Sequence, residues 1–345
     1  MNPSPAPAAL TWQALTLRLI HPFRLSYGAD ETRQAFWLRL PDDAGWGEGT
    51  IPPYYGVAAG EMIAFWQRAA ADPRPLPEDP EEIEAWVGTD GPAPARAALD
   101  LALHDRLGQK CGLPLYRLLG LPVPLNLPTS FTIAIDTPEA MAELARQAAK
   151  FPVIKIKVGS DPEDLARVAA IRAARPDAKL RVDANAGWSR EEALRMVRAL
   201  EPYDLEMIEQ PLAKDDIAGM GLVQKATSIP IVADESVQGL EDLEALARAG
   251  VQGVNLKLMK LGGLAPALRM LRRAGELDLR VLLGCMIETS LGVTAMAHLA
   301  GRADWLDLDA PLLISNDPFE GLQYDDRACL QVPDHPGIGV RLRPA

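Results

Sequence analysis

Five charged residues recur along this chain at nearly constant spacing, each closing a short apolar run. They are Lys157 in Ile154-Lys155-Ile156-Lys157-Val158, Asp183 in Val182-Asp183-Ala184-Asn185, Glu209 in Ile208-Glu209-Gln210-Pro211, Asp234 in Val232-Ala233-Asp234-Glu235-Ser236 and Lys257 in Val254-Asn255-Leu256-Lys257. The intervals between them are 26, 26, 25 and 23 residues. Three carboxylates with no histidine or cysteine among them form a hard oxygen set suited to Mg2+ or Mn2+. Two lysines flanking a metal-bound substrate meet the needs of proton transfer at a carbon beside a carboxylate, one removing the proton from one face and the other returning it to the opposite face. A cation on that carboxylate neutralises the charge that grows as the proton leaves. One lysine must be neutral to act as a base, and the cation together with Lys155 gives a reason for a lowered pKa.

An interval of this length is one strand-loop-helix-loop unit, and polar residues at the C-terminal ends of successive strands mark the mouth of a (β/α) barrel. Eight strands are expected, near residues 129–135, 153–158, 180–184, 207–209, 231–233, 253–257, 280–283 and 305–308, with helical patterns between them at 138–150, 162–175 and 190–201. Lys157 on the second strand and Lys257 on the sixth then face each other across the mouth, with Asp183, Glu209 and Asp234 side by side between them. Alternation puts Lys155 on the same face as Lys157 and one step deeper, in a supporting role. Asn185 and Glu235 are further supporting candidates, each either flanking the metal ligands or satisfying a strand end. Lys260 lies beyond its strand and reads as a solvated loop residue.

The 345 residues hold one barrel and a smaller unit. Residues 1–125 read as an α+β cap: strands at 10–20 and 35–40, a turn at Asp42-Asp43-Ala44-Gly45, a short strand near Trp46, and helical patterns at 60–71, 80–87 and 93–111. The third helix should pack on the sheet. Two loops are expected, at 21–33 and 50–56. Residues 126–310 form the barrel, and 311–345 a tail returning to the cap. A net charge of −12 without a Lys/Arg cluster argues against nucleic acid or an anionic membrane as partner. Three widely spaced cysteines suggest neither a disulfide framework nor a zinc site and fit a reducing cytoplasm, and neither a signal peptide nor a membrane span is evident.

In their order, Lys-x-Lys, Asp-Ala-Asn-Ala-Gly-Trp, Ile-Glu-Gln-Pro, Asp-Glu-Ser and Lys-Leu-Met-Lys-Leu-Gly-Gly resemble the enolase superfamily, muconate-lactonising subgroup, over nearly the whole chain. The resemblance implies a modified (β/α)7β TIM-type barrel under an α+β cap, Mg2+ on Asp183, Glu209 and Asp234, an acid/base pair of Lys157 and Lys257, and a symmetric homo-oligomer. It also implies that the two cap loops shape the specificity pocket. Leu306-Asp307-Leu308-Asp309 resembles the Asp-x-Asp motif with which dipeptide epimerases bind the substrate's α-ammonium. The expected activity is therefore inversion of the α-carbon of a dipeptide's C-terminal residue, with Ala-Glu the first guess. Arg24, or Arg33, would reach an acidic side chain, whereas Asp30 and Glu31 would favour a cationic one. The competing readings are o-succinylbenzoate synthase, N-acylamino acid racemase and muconate cycloisomerase, none of which gives Asp307 and Asp309 an ammonium to bind. A catalytically silent metabolite-binding barrel is the reading outside enzymes.

Overall fold

The computed structural model describes residues 10–25, 28–52, 55–124, 126–159 and 162–344, with only the backbone described at 22–25 and 29. Among these residues an eight-stranded parallel sheet runs in chain order through β4 (Phe131–Ile133), β5 (Val153–Lys157), β6 (Lys179–Asp183), β7 (Leu205–Glu209), β8 (Ile231–Ala233), β9 (Gly253–Leu256), β10 (Arg280–Gly284) and β11 (Trp305–Asp307). A parallel bridge between Thr129 and Leu306 brings the first strand beside the last and closes the barrel. β5 shows why these runs make such a wall. Ile154 and Ile156 join the apolar layer beneath the outer helices, while the alternate residues Lys155 and Lys157 face inward and are also buried. The inward residues are layered. Met207, Val232, Leu282 and Trp305 form an apolar floor, and two residues further along their strands stand Glu209, Asp234, Gly284 and Asp307. Functional side chains thus occupy the layer above a packed floor, at the C-terminal mouth.

Among the described residues the α-helices are α1 (Ala59–Ala70), α2 (Pro80–Val87), α3 (Ala93–Cys111), α4 (Leu115–Leu118), α5 (Pro138–Gln147), α6 (Asp164–Ala174), α7 (Arg190–Leu200), α8 (Ile217–Lys225), α9 (Leu240–Ala249), α10 (Leu258–Leu261), α11 (Leu264–Glu276), α12 (Ser290–Ala297) and α13 (Ala310–Leu313). Their starts are written locally. Ser189 accepts from Glu192 N while Glu192 accepts from Ser189 N, so α7 begins with two orphan donors satisfied reciprocally. No helix is long and apolar enough to cross a membrane, among the described residues.

The cap sheet has the order β1 (Thr11–Leu25), β2 (Gly28–Arg39), β3 (Trp46–Thr50). Of the loop expected at 21–33, residues 26–27 lie outside the described residues, and the rest belongs to the β1–β2 ladder, which resumes at Phe23↔Asp30 after a register shift beyond Arg18. Backbone pairing carried two polar segments into a ladder that their side-chain pattern does not signal. Part of the second loop, residues 53–54, lies outside the described residues. α3 packs on β3 because Gly45, Gly47 and Gly49 leave a slot: an added Cβ would come within 2.2 Å of the Ala102 carbonyl, 1.9 Å of the Ala98 carbonyl and 2.6 Å of the Pro94 carbonyl respectively. The tail contributes β12 (Phe319–Glu320), β13 (Gln323–Tyr324), β14 (Leu330–Gln331) and β15 (Arg341–Leu342). It touches the cap where Ser315 N donates to the Arg18 carbonyl and where Ile338 N donates to Asp105 of α3.

Candidate active site

The barrel register sets the site. Lys157 pairs with Asp183 across β5 and β6, and Asp183 with Glu209 across β6 and β7, so the three stand level on adjacent strands. Asp234 follows β8, and Lys257 follows β9, four strands round the barrel from β5. Every one of these side chains is buried.

Their contacts form one network. Lys155 Nζ lies 2.9 Å from Asp183 Oδ2, 2.8 Å from Glu209 Oε2 and 2.7 Å from Asp307 Oδ2. Lys157 donates to Asp183 Oδ2 at 2.7 Å and to Asn185 Oδ1 at 3.0 Å, and Lys257 donates to Asp234 Oδ2 at 2.6 Å. Asn185 Nδ2 donates in turn to Glu235 Oε1 at 3.2 Å. Lys260, expected in solvent, is buried with its ammonium on Asp234. The short helix α10 turns it back under the mouth, which its position past the strand did not signal.

Charge and burial compete at each group. Burial pushes Glu209 up, helped by Asp183 and Asp234, to about 7. Burial and the same pair of neighbours, Asp234 before Asp183, raise Glu235 to about 8. Burial would raise Asp183 and Asp234 too, but their lysines hold both below the ordinary carboxylate value. Burial alone would lower Lys155 and Lys257, yet the carboxylates around them outweigh it and hold both ammonium groups well above their ordinary value.

Among the described residues, no three histidine, cysteine or carboxylate side chains enclose a common point, because ammonium groups stand between the acids. The donor set nevertheless fits a hard divalent cation. Glu209 Oε2 is buried and accepts no hydrogen bond despite its nearness to Lys155, and Asp183 and Asp234 flank it on the adjoining strands. Asn185, Ala186 and Gln210 have φ of 42°, 59° and 34°, left-handed backbone gathered at the strand ends around these acids.

Asp307 at the end of β11 and Asp309 just beyond it lie on the opposite wall. Asp307 accepts from Ser130 Oγ at 2.6 Å as well as from Lys155, and these partners, against the opposing effect of burial, hold its pKa below the ordinary value. Asp309 accepts from Thr132 N at 2.7 Å, and burial followed by the Asp307 charge raises it to about 7. The side chain of Arg24 lies outside the described residues, and Arg33 is held by Asp30 at 2.8 Å.

Several contributors escaped the sequence reading. Gln210 bridges β7 to β8 by accepting from Asp234 N and donating to Ser236 Oγ, both at 2.8 Å. Its place in Ile-Glu-Gln-Pro was the available signal. Asn255 donates to Glu209 Oε1 at 2.8 Å, and period-two alternation from Lys257 could have found it.

Residues 139–345 match the Enolase C-terminal domain-like family. The chain is 35% identical to the L-Ala-D/L-Glu epimerase of Bacteroides thetaiotaomicron, over 96% of this chain and 87% of that protein. Among solved structures, a substrate-liganded complex of the L-Ala-D/L-Glu epimerase from Bacillus subtilis superposes with a TM-score of 0.89 at 32% identity, covering 97% of this chain and 98% of the other. The dipeptide epimerase from Cytophaga hutchinsonii, complexed with Mg and D-Ala-L-Val, gives a TM-score of 0.90 at 30% identity, covering 98% and 96%. With a family match across the whole charged mouth and whole-chain likeness on both counts, the chain belongs to the enolase superfamily.

Proposed function

We propose that this protein is a dipeptide epimerase that inverts the α-carbon of the C-terminal residue by two-base proton transfer. The observation that carries the reading is the joint presence, in one buried mouth, of opposed lysines and the Asp307/Asp309 pair. Lys157 and Lys257 stand four strands apart and supply a base on each face of a substrate held between them. Asp183, Glu209 and Asp234 would hold Mg2+, or Mn2+, as the Mg in the Cytophaga hutchinsonii complex supports. When bound, the cation supplies Lewis-acid stabilisation of negative charge on the substrate carboxylate.

Each lysine already has a partner that orients its nitrogen: Asp183 and Asn185 for Lys157, Asp234 for Lys257. Asp307 and Asp309 lie on the far wall from the carboxylates, where a dipeptide's free ammonium would meet them. Lys155, one step deeper than Lys157 and in contact with Asp183, Glu209 and Asp307, helps keep Asp307 ionised and orders the site. N-acylated and cyclic substrates leave the acidic pair without a task. The chain's three cysteines are all unpaired, which supports a cytoplasmic setting, and the superfamily resemblance supports a homo-oligomer.

The test is α-proton exchange in D2O with Mg2+ on a pooled library of Ala-Xaa and Xaa-Glu dipeptides, read by mass spectrometry. Deuterium uptake by particular dipeptides names the side chains, with Ala-Glu expected among them. No uptake from any dipeptide by folded, metal-loaded protein would remove the assignment.

A further inference from the structure

β9 and the turn after it carry two side chains that touch neither of the proposed bases at a reacting position, yet hold two of the three carboxylates. The first is Asn255. Its Nδ2 donates to Glu209 Oε1 at 2.8 Å, reaching past β8 to a carboxylate two strands away. That bond fixes one Glu209 oxygen, while the other, Oε2, is buried 2.8 Å from the Lys155 ammonium and accepts no hydrogen bond. The amide sits where β10 has Gly284, at which an added Cβ would lie 2.5 Å from Asn255 Oδ1. A glycine there is thus the room the amide occupies.

The second is Lys260. Its ammonium donates to the Asp234 carbonyl, to Asp234 Oδ1 and to the Asn255 carbonyl, the last at 2.9 Å. Three donors are spent on three acceptors, which leaves none for a substrate. β8 and β9 share only the ladder partners Val232↔Gly253 and Ala233↔Val254 among the described residues. Beyond them the ammonium bridges the two strand ends through their carbonyls, and in the same grip fixes Asp234 Oδ1 while Oδ2 turns to Lys257.

We propose that Asn255 and Lys260 are positioning residues that set the carboxylates of Glu209 and Asp234 in the orientation a divalent cation requires. The inference rests on the reading of Asp183, Glu209 and Asp234 as cation ligands. Groups that orient metal ligands in this way change metal affinity about 10–100-fold when removed.

The test is Mn2+ binding by the full-length protein, followed as loss of free-ion signal in electron paramagnetic resonance, for wild type, Lys260→Met and Asn255→Leu. Circular dichroism and thermal melting of the metal-free proteins report folding alongside. Folded variants that bind Mn2+ about 10–100-fold more weakly than wild type, with melting little changed, bear the proposal out. Folded variants with wild-type affinity overturn it. If one variant does not fold, the other decides. Failure of both to fold assigns the pair a purely structural role and also overturns it. A wild-type protein that binds no Mn2+ sinks the cation reading itself, a result distinct from unequal or equal binding among the variants.

Discussion

Lys157 is braced by a carboxylate and an amide, whereas Lys257 shares Asp234 with a second buried lysine, so the two proposed bases work in different surroundings. Replacing either removes one face of the exchange. Lys157→Ala and Lys257→Ala are each expected to lower the epimerisation rate about 10²–10⁴-fold. The surviving lysine should still exchange the α-proton of one epimer with D2O, and the two variants should serve opposite epimers. Equal residual exchange of both epimers by either variant would contradict two-base transfer. At the other end of the substrate, Asp309→Asn keeps the shape and removes the charge. It should raise KM for a dipeptide about 10–100-fold, the worth of a hydrogen bond between charged groups, with a smaller change in kcat. Steady-state kinetics that show kcat falling alone would place Asp309 elsewhere in the cycle.

At the level of elements, the strands of the barrel and its helices near 138–150, 162–175 and 190–201 were legible because each carries a periodic signal, as the inward polar and outward apolar residues of β5 do. The same alternation made Lys155, Lys157, Asp183, Glu209 and Lys257 visible as one inward-facing set. Lys260 was not visible, since its burial depends on the four-residue helix α10 folding it back toward β8. The pairing of residues 23–25 with 28–30 was not visible either, because cross-strand backbone bonds, not side chains, make it. The slot in β3 is a third case. Trp-Gly-Glu-Gly-Thr reads as a weak strand until α3 is seen to need the space. Gly47→Ala should therefore destabilise the fold by about 1–3 kcal/mol through overpacking, measured by urea denaturation. Gly60→Ala, at a helix position where the added Cβ meets nothing within 4 Å, is the control expected to be neutral or better.

Across the whole molecule, the cap is tied to the barrel by carboxylates that close the N-termini of barrel helices. Glu48 of β3 accepts from Thr289 N and Gly292 N, both at 2.9 Å, at the start of α12. Asp100 of α3 accepts from Leu264 N at 2.6 Å at the start of α11. Glu48→Gln exchanges an acceptor for a donor against those amides and should cost about 1–3 kcal/mol in the same denaturation measurement. The tail has its own pH dependence. His298 is buried with Nε2 3.0 Å from the Ile338 carbonyl, and burial lowers it from 6.5 to about 4. Its folded pKa lies below its unfolded one, so the unfolded chain binds the extra proton first. The stability it lends is complete above pH 6.5 and falls as the pH drops toward about 4, by roughly 3 kcal/mol. Comparison of wild type with His298→Asn across that window should show the wild type losing stability more steeply, and parallel curves would rule the histidine out.

Lys155 Nζ touches Asp183 and Glu209 on one side and Asp307 on the other, so a single ammonium is common to the two ends of the mouth. Charge that arrives at either end changes what that ammonium must balance at the other. Cation binding and amine binding are then thermodynamically linked, and linkage is reciprocal: the factor by which a dipeptide alters the affinity for the ion equals the factor by which the ion alters the affinity for the dipeptide.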